Sequence, residues 1–437
     1  MLGTAPPGEE SLLIKGGTVV TRLGRERANV LIRGGRIEIL TTSSPNSDEV
    51  IDATGLLVMP GVVDPHVHFR QPGMHSEDWE NGSRAALAGG VTTVLDMPNT
   101  CPPTTTLQLL LDKFRMVDSS SPLVNYGFHF GATPTNAEEI RAAGLSTGAL
   151  LPPPPGPLAA SVKVFMGSST GDLLITELTD LRNVARTSRI MTVHAEDEAV
   201  IRMHASEQDH ALRRPKRAAL AAIRKLLSVG RAGSIYVCHV TSYEEAELAS
   251  PFYREATPHH LFLNSEAMRE IGAYAKVNPP LRAEPDRASL WRALLEGKID
   301  AIGSDHAPHL RSEKESADPP SGVPGVETSL PLMVDASMKG LIRLEEVVRL
   351  MSYSPAKIFR IRGKGDIAPG KDADLVLVDP KLERKVDPDA LHYKCGWTPY
   401  DGMALRGWPV VTLVGGSVAY KEGEFYPVKG SAVRYGI

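Results

Sequence analysis

Apolar positions follow two rhythms along this chain. Near both ends they come in short stretches, 12–14, 18–20, 28–32 and 36–40 at the front and 375–378, 410–414 and 417–420 at the back. Glycine- and asparagine-containing turns separate them. Short apolar runs between turn formers predict β-strands joined by hairpins. Between the ends, longer β-branched runs alternate with stretches of helical period. The runs are 57–63, 91–97, 124–130, 161–166, 190–193, 234–240, 252–256 and 300–302, with helices expected at 83–88, 218–227 and 286–295. A near-continuous apolar strand is buried on both faces, and eight such units predict an α/β fold, a (β/α)8 TIM barrel. The two β-rich ends, 1–57 and 362–437, are expected to form one discontinuous β-sandwich-like domain beside a barrel of residues 58–361. No internal repeat interrupts this plan. Residues 312–324 are polar and rich in proline and glycine, and read as a mobile loop after the eighth strand.

Composition removes several function classes. The chain has 437 residues, 48 basic and 52 acidic, with a net charge of −4. It has no basic excess to neutralise phosphates, which argues against a nucleic-acid binder. Residues 142–162 carry no charge and could span a bilayer by length alone. Four successive prolines at 152–155 deny that stretch a helical hydrogen-bond ladder, so a loop is expected and no membrane contact. The first fifteen residues lack a basic start followed by an apolar core, so no signal peptide is expected. Three cysteines cannot pair completely and fit a reducing, cytoplasmic setting.

The informative residues fall where strands are expected to end. His66 and His68 are two apart, which puts both imidazoles on one face of a strand. His194, His239 and Asp305 follow the fifth, sixth and eighth runs. In a barrel these C-terminal ends converge on the face that holds the active site. Each histidine alone is ordinary; four imidazoles and a carboxylate aimed at one cup suit zinc. Lys163 is stranger, because it interrupts the apolar run 161–166. A buried ammonium is costly unless paired or neutralised. Its head either reaches the barrel mouth, or its amine has reacted with carbon dioxide to give a carbamate anion able to bridge two metal ions.

Four motifs carry a family resemblance. They are His66-Val67-His68-Phe69-Arg70-Gln71-Pro72-Gly73, Met97-Pro98-Asn99-Thr100, Asn278-Pro279-Pro280-Leu281-Arg282 and Ser304-Asp305-His306-Ala307-Pro308-His309. In this order they resemble the dihydroorotases of the amidohydrolase superfamily. The tail from Gly365 to Asp374 resembles that superfamily's return to its β-domain, so the likeness spans essentially the whole chain. The resemblance implies two zinc ions. His66 and His68 would bind the buried one and His194 and His239 the exposed one. Lys163, N6-carboxylated, would bridge them, and Asp305 would touch the buried ion and shuttle a proton. Arg70, Asn99, Asn278 and His309 match substrate-holding positions, and Pro324 and Gly325 belong to a loop (322–325) that closes over the ring through backbone groups. The implied reaction is reversible cyclisation of N-carbamoyl-L-aspartate to L-dihydroorotate plus water in de novo pyrimidine biosynthesis, through a bridging hydroxide. A homodimer, and association with aspartate carbamoyltransferase, are further expectations by family analogy.

Three other readings compete. An allantoinase or hydantoinase-type enzyme would share the metal ligands, but its substrate lacks the carboxylate that Arg70 would grip. A catalytically inactive scaffold would be free to lose ligands, yet all six are present. A nucleic-acid module is suggested only by Arg213-Arg214-Pro215-Lys216-Arg217, a stretch more basic than the family leads one to expect. The acidic net charge argues against it, and a solvated loop face is the plainer expectation for these residues.

Overall fold

The computed structural model describes residues 10–145, 157–169, 173–231 and 233–436. The loop expected at 152–155 lies outside them. Strand Val62–Val67 pairs in parallel with Val91–Asp96, which pairs with Asn125–Phe128. After His129 the chain resumes as Phe130–Gly131 and pairs with Val162–Phe165. Parallel pairing then continues through Met191–His194, Ile235–Val237, Tyr253–Ala256 and Ala301–Ile302. The circle closes where the His68 N–H donates to the His306 carbonyl at 2.8 Å and Val67 bridges to His306. The protein is an eight-stranded α/β barrel with a flanking β structure. Each of the eight apolar runs contributes a strand, because each is buried on both faces.

One run does double duty. Residues 57–63, expected as a single strand, are two. Leu57–Pro60 pairs antiparallel with Leu375–Lys385 in the flanking sheet, and Val62–Val67 opens the barrel. The break falls at Pro60-Gly61. A Cβ at Gly61 would meet the Thr92 hydroxyl oxygen at 2.2 Å, so the backbone crosses there only because glycine has no side chain. Continuous hydrophobicity hid the change of sheet; the Pro-Gly dipeptide was its one local signal.

The flanking part has a seven-stranded sheet combining front and back strands, and a four-stranded sheet from the front. They pack through Ile14, Val30, Ile32, Val58, Leu375 and Leu413. Two short strands, Gly24–Arg27 and Glu49–Asp52, were not expected, because they are charged, largely exposed and without apolar rhythm. The chain end returns to the barrel. Val433 N–H donates to the Tyr126 carbonyl, and Tyr435 packs with Val63 and Leu95. Among the described residues no helix is long and apolar enough to cross a membrane.

Helix caps fix the segments that follow the strands. Asp78 accepts from the Asn81 N–H to start Trp79–Ala88, and Thr106 accepts from Leu109 to start Leu107–Ser119. Lys113, on the second of these helices, reaches Asp96 at 2.5 Å. Asp96 also accepts from the Phe69 N–H at 2.7 Å, which anchors the segment just after His66 and His68.

Candidate active site

The C-terminal ends of the barrel strands bring the expected residues together. His66, His68, Arg70, Asn99, Lys163, His194, His239, Asn278 and Asp305 line one pocket. Three of them hold backbone conformations that L-residues rarely adopt: Arg70 at φ 66°, His239 at φ 38° and Asp305 at φ 46°. Such strain persists only where surrounding structure overdetermines it, and it concentrates at functional sites.

Nε2 of His66 and Nε2 of His68 each lie 3.2 Å from the same Asp305 oxygen. The three side chains can place one ligand atom each within 4.8 Å of one another. On the other side of the pocket, His194 Nδ1 and His239 Nε2 are 2.9 Å apart. Burial pushes all four imidazoles down from their ordinary value, His66 to about 3, so they are neutral near pH 7 and offer lone pairs. Neutral imidazole nitrogens with a carboxylate oxygen are a donor set that suits zinc. His239 Nδ1 is buried with no hydrogen-bond partner among the described residues. The residues present fit a metal site.

The opposite nitrogens of three of the four rings are backed by acceptors. His66 Nδ1 lies 2.8 Å from Glu255, which also accepts from the Tyr236 hydroxyl and the His239 N–H. His68 Nδ1 lies 2.9 Å from Asn99 Oδ1. His194 Nε2 lies 2.9 Å from Glu196. Such partners set the ring orientation and tautomer of a ligating histidine. None of these carboxylates was singled out from the sequence. Glu255 sits inside the apolar run 252–256 and Glu196 two residues after His194, and a charge in such a place was the available signal.

Lys163 is 1% exposed. Its Nζ is 3.1 Å from Cys238 Sγ and 5.0 Å from the Phe165 ring centre. Among the described residues it makes no ion pair.

Arg70 is 2% exposed. Its Nε donates to the Pro308 carbonyl at 3.2 Å, and its Nη2 lies 3.0 Å from His309 Nε2. Guanidinium only donates, so His309 accepts. Burial lowers Arg70 to about 10, which leaves it charged; Asp305 and Asp96 act on it at a distance, and among the described residues it makes no direct ion pair. His309 sits behind Arg70 and does not line the pocket. Of the expected loop 322–325, Gly322 lines the pocket, beside Ser321. The Gly325 N–H donates to His306 Nδ1 at 3.1 Å.

Segment 312–324 starts with the helix Arg311–Lys314 and is tied down. Lys314 is buried and donates to the carbonyls of Pro320 and Gly322 at 2.9 and 3.0 Å. Burial, then Lys276 and Arg70, lower its ammonium from 10.5 to about 7. Between those values the unfolded chain binds the proton more fully, so this group makes stability rise with pH. Lys314→Met is therefore expected to flatten the rise in unfolding free energy from pH 7 to about pH 9, read by urea denaturation. An unchanged slope would contradict it.

One member of the basic run departs from a solvated face, Arg214, while Arg213 and Lys216 are half-buried and Arg217 is exposed. Arg214 is buried against Glu196, Lys216 pairs with Asp286 and Glu244, and Arg217 contacts His204. His129 and His260 are each held on both nitrogens: Nε2–H donates to the carbonyl of Pro65 or Pro279, and Nδ1 accepts from the hydroxyl of Ser161 or Thr257.

A model of the amidohydrolase family matches residues 57–419. The chain belongs to that family. A dihydroorotase of Halobacterium salinarum is 38% identical over 426 residues, covering 94% of this chain and 97% of the relative. An L-hydantoinase of Paenarthrobacter aurescens is 33% identical over 455 residues, covering 96% of each. Among solved structures, an L-hydantoinase from Arthrobacter aurescens superposes with a TM-score of 0.88 at 30% identity, over 97% of this chain and 99% of that one. As an amidohydrolase, the chain carries its buried His/Asp cluster at the strand ends where the barrel opens.

Proposed function

We propose that this amidohydrolase is a dihydroorotase, interconverting N-carbamoyl-L-aspartate and L-dihydroorotate in pyrimidine biosynthesis. The observation that carries this reading is Arg70. It is a buried, charged guanidinium that lines the pocket beside the histidine cluster and lacks an anionic partner among the described residues. Leaving a buried charge unpaired is costly, so the pocket suits a substrate that brings a carboxylate. Dihydroorotate has one. Guanidinium binds a carboxylate through two parallel N–H donors, which also fixes the ring's orientation. His309 holds Arg70 from behind. Asn99 lines the same pocket and would stand beside the carboxylate, and Asn278, whose Oδ1 has no partner among the described residues, offers an acceptor to a ring N–H.

His66, His68 and Asp305 would hold one zinc ion, His194 and His239 a second, and Lys163 as a carbamate would span them. Bound zinc would supply a Lewis acid and a water acidic enough to attack at neutral pH. In ring opening, Asp305 takes the proton from the attacking water and passes it to the leaving ring nitrogen. In ring closure it carries the proton back. Closure removes one carboxylate and consumes a proton, so acid favours synthesis and alkali favours hydrolysis.

A second reading, an L-hydantoinase-type enzyme, is favoured by the 0.88 TM-score to an L-hydantoinase. Arg70→Met separates the two. Losing one partner of a buried charged pair costs about 3 kcal/mol, or about 100-fold in kcat/KM for L-dihydroorotate. Any slow opening of hydantoin, which has no carboxylate, should change far less. Equal losses on both compounds would remove the carboxylate grip from the account.

A further inference from the structure

The basic run 213–217 has one member that the proposed reaction does not use. Arg214 is 6% exposed and lies against Glu196, which is fully buried. Arg214 Nη2 donates to Glu196 Oε2 at 2.6 Å, and its Nε lies 3.2 and 3.1 Å from the two carboxylate oxygens. The same Oε2 is 2.9 Å from His194 Nε2. Arg214 Nη2 also lies 3.3 Å from His194 Nε2, but the carboxylate is closer and an ionised carboxylate only accepts, so His194 carries its proton on Nε2. The lone pair of Nδ1 then points to the side where His239 Nε2 stands 2.9 Å away.

The pair is itself braced from two directions. Arg214 Nη1 donates to the Ser168 carbonyl at 2.9 Å, on the segment that follows Lys163. The Arg214 carbonyl accepts from Arg282 Nη1 at 2.7 Å, and Arg282 Nε donates to Thr241 Oγ1 at 3.1 Å, two residues past His239. One chain of hydrogen bonds therefore links the ends of the fourth, fifth and sixth barrel strands. An ion pair buried this deeply is no more stabilising than apolar residues of similar volume, so its presence calls for a role besides stability.

We propose that the buried Glu196–Arg214 pair positions His194, fixing its tautomer and ring plane so that Nδ1 and the facing His239 Nε2 serve one metal ion. The proposal rests on the two-metal reading above. Removing a carboxylate that backs a ligating imidazole typically weakens metal binding about 10–100-fold. His66 and His68 have their own backing groups, Glu255 and Asn99, so the loss should fall on one of two sites.

The test is a zinc titration against a competing chelator on metal-depleted protein, comparing wild type with Glu196→Gln and Arg214→Lys. Wild type is expected to bind two equivalents. Both variants should keep the far-UV circular dichroism of the metal-depleted wild type and hold the first equivalent unchanged. Their second equivalent should weaken about 10–100-fold. Glu196→Gln leaves a buried guanidinium without its anion; if it does not fold, Arg214→Lys decides, since it keeps the charge and loses only the planar fork. A folded variant with both affinities unchanged overturns the proposal. So does equal weakening of both equivalents, which would mean general loosening of the cup. Wild type binding fewer than two equivalents would overturn the two-metal reading itself, and the proposal with it.

Discussion

Lys163→Ala is expected to bind one zinc ion fewer per chain and to lose about 1,000-fold in turnover of dihydroorotate, since a Lewis-acid contribution of several kcal/mol goes with the ion. The physical case starts from what surrounds the amine. Lys163 is 1% exposed, and its Nζ hydrogen-bonds the Cys238 thiol at 3.1 Å. Burial pushes that thiol up, so it supplies no counter-charge. The neighbouring imidazoles are neutral. An ammonium in this place is poorly compensated. Reaction of the neutral amine with carbon dioxide forms an N–C bond, releases a proton and leaves an anion with two oxygens. That anion suits two dications among neutral ligands. Small carboxylic acids added to Lys163→Ala should restore part of the activity by occupying the vacated place. Metal analysis and activity together check this; full activity with two metals bound in the variant would contradict it.

Asp305→Asn should lower kcat for ring opening by about 1,000- to 10,000-fold, the upper part of the range for a positioned general acid–base group. Asparagine is the informative replacement. Asp305 sits at φ 46°, a left-handed conformation that asparagine tolerates better than most residues, so the backbone is kept while the proton carrier is lost. The side chain already lies 3.2 Å from Nε2 of both His66 and His68, inside the cup where an attacking water must be deprotonated. Metal content measured on the same sample separates loss of the proton carrier from loss of a ligand. A variant within tenfold of wild type would remove Asp305 from proton transfer.

Much of the cup was legible in the sequence, for one geometric reason. A barrel sends all its strand ends to one face, so His66, His68, Lys163, His194, His239 and Asp305 needed only to follow apolar runs to be gathered together. What escaped was the layer behind them. Glu255 and Arg214 act by contacts between separate segments, and no local period records such contacts; Glu196 stands two residues after His194, where only its charge marked it. Arg214 in particular sits in a run whose charge suggested a solvent face, whereas its partner Glu196 lies 18 residues earlier. The Pro60-Gly61 change of sheet was missed because both strands it joins are fully buried and apolar on either side of the break. His309, expected at the substrate, lies 3.0 Å from Arg70 Nη2, a contact that the sequence did not indicate.

The most direct test of the proposed activity is to follow opening of L-dihydroorotate by the purified, zinc-supplemented protein at alkaline pH, with hydantoin and allantoin run beside it. Selective opening of dihydroorotate is the expected result, because only that ring brings a carboxylate to Arg70. Preferential opening of hydantoin or allantoin would keep the metal cup and contradict the carboxylate grip on which the assignment rests.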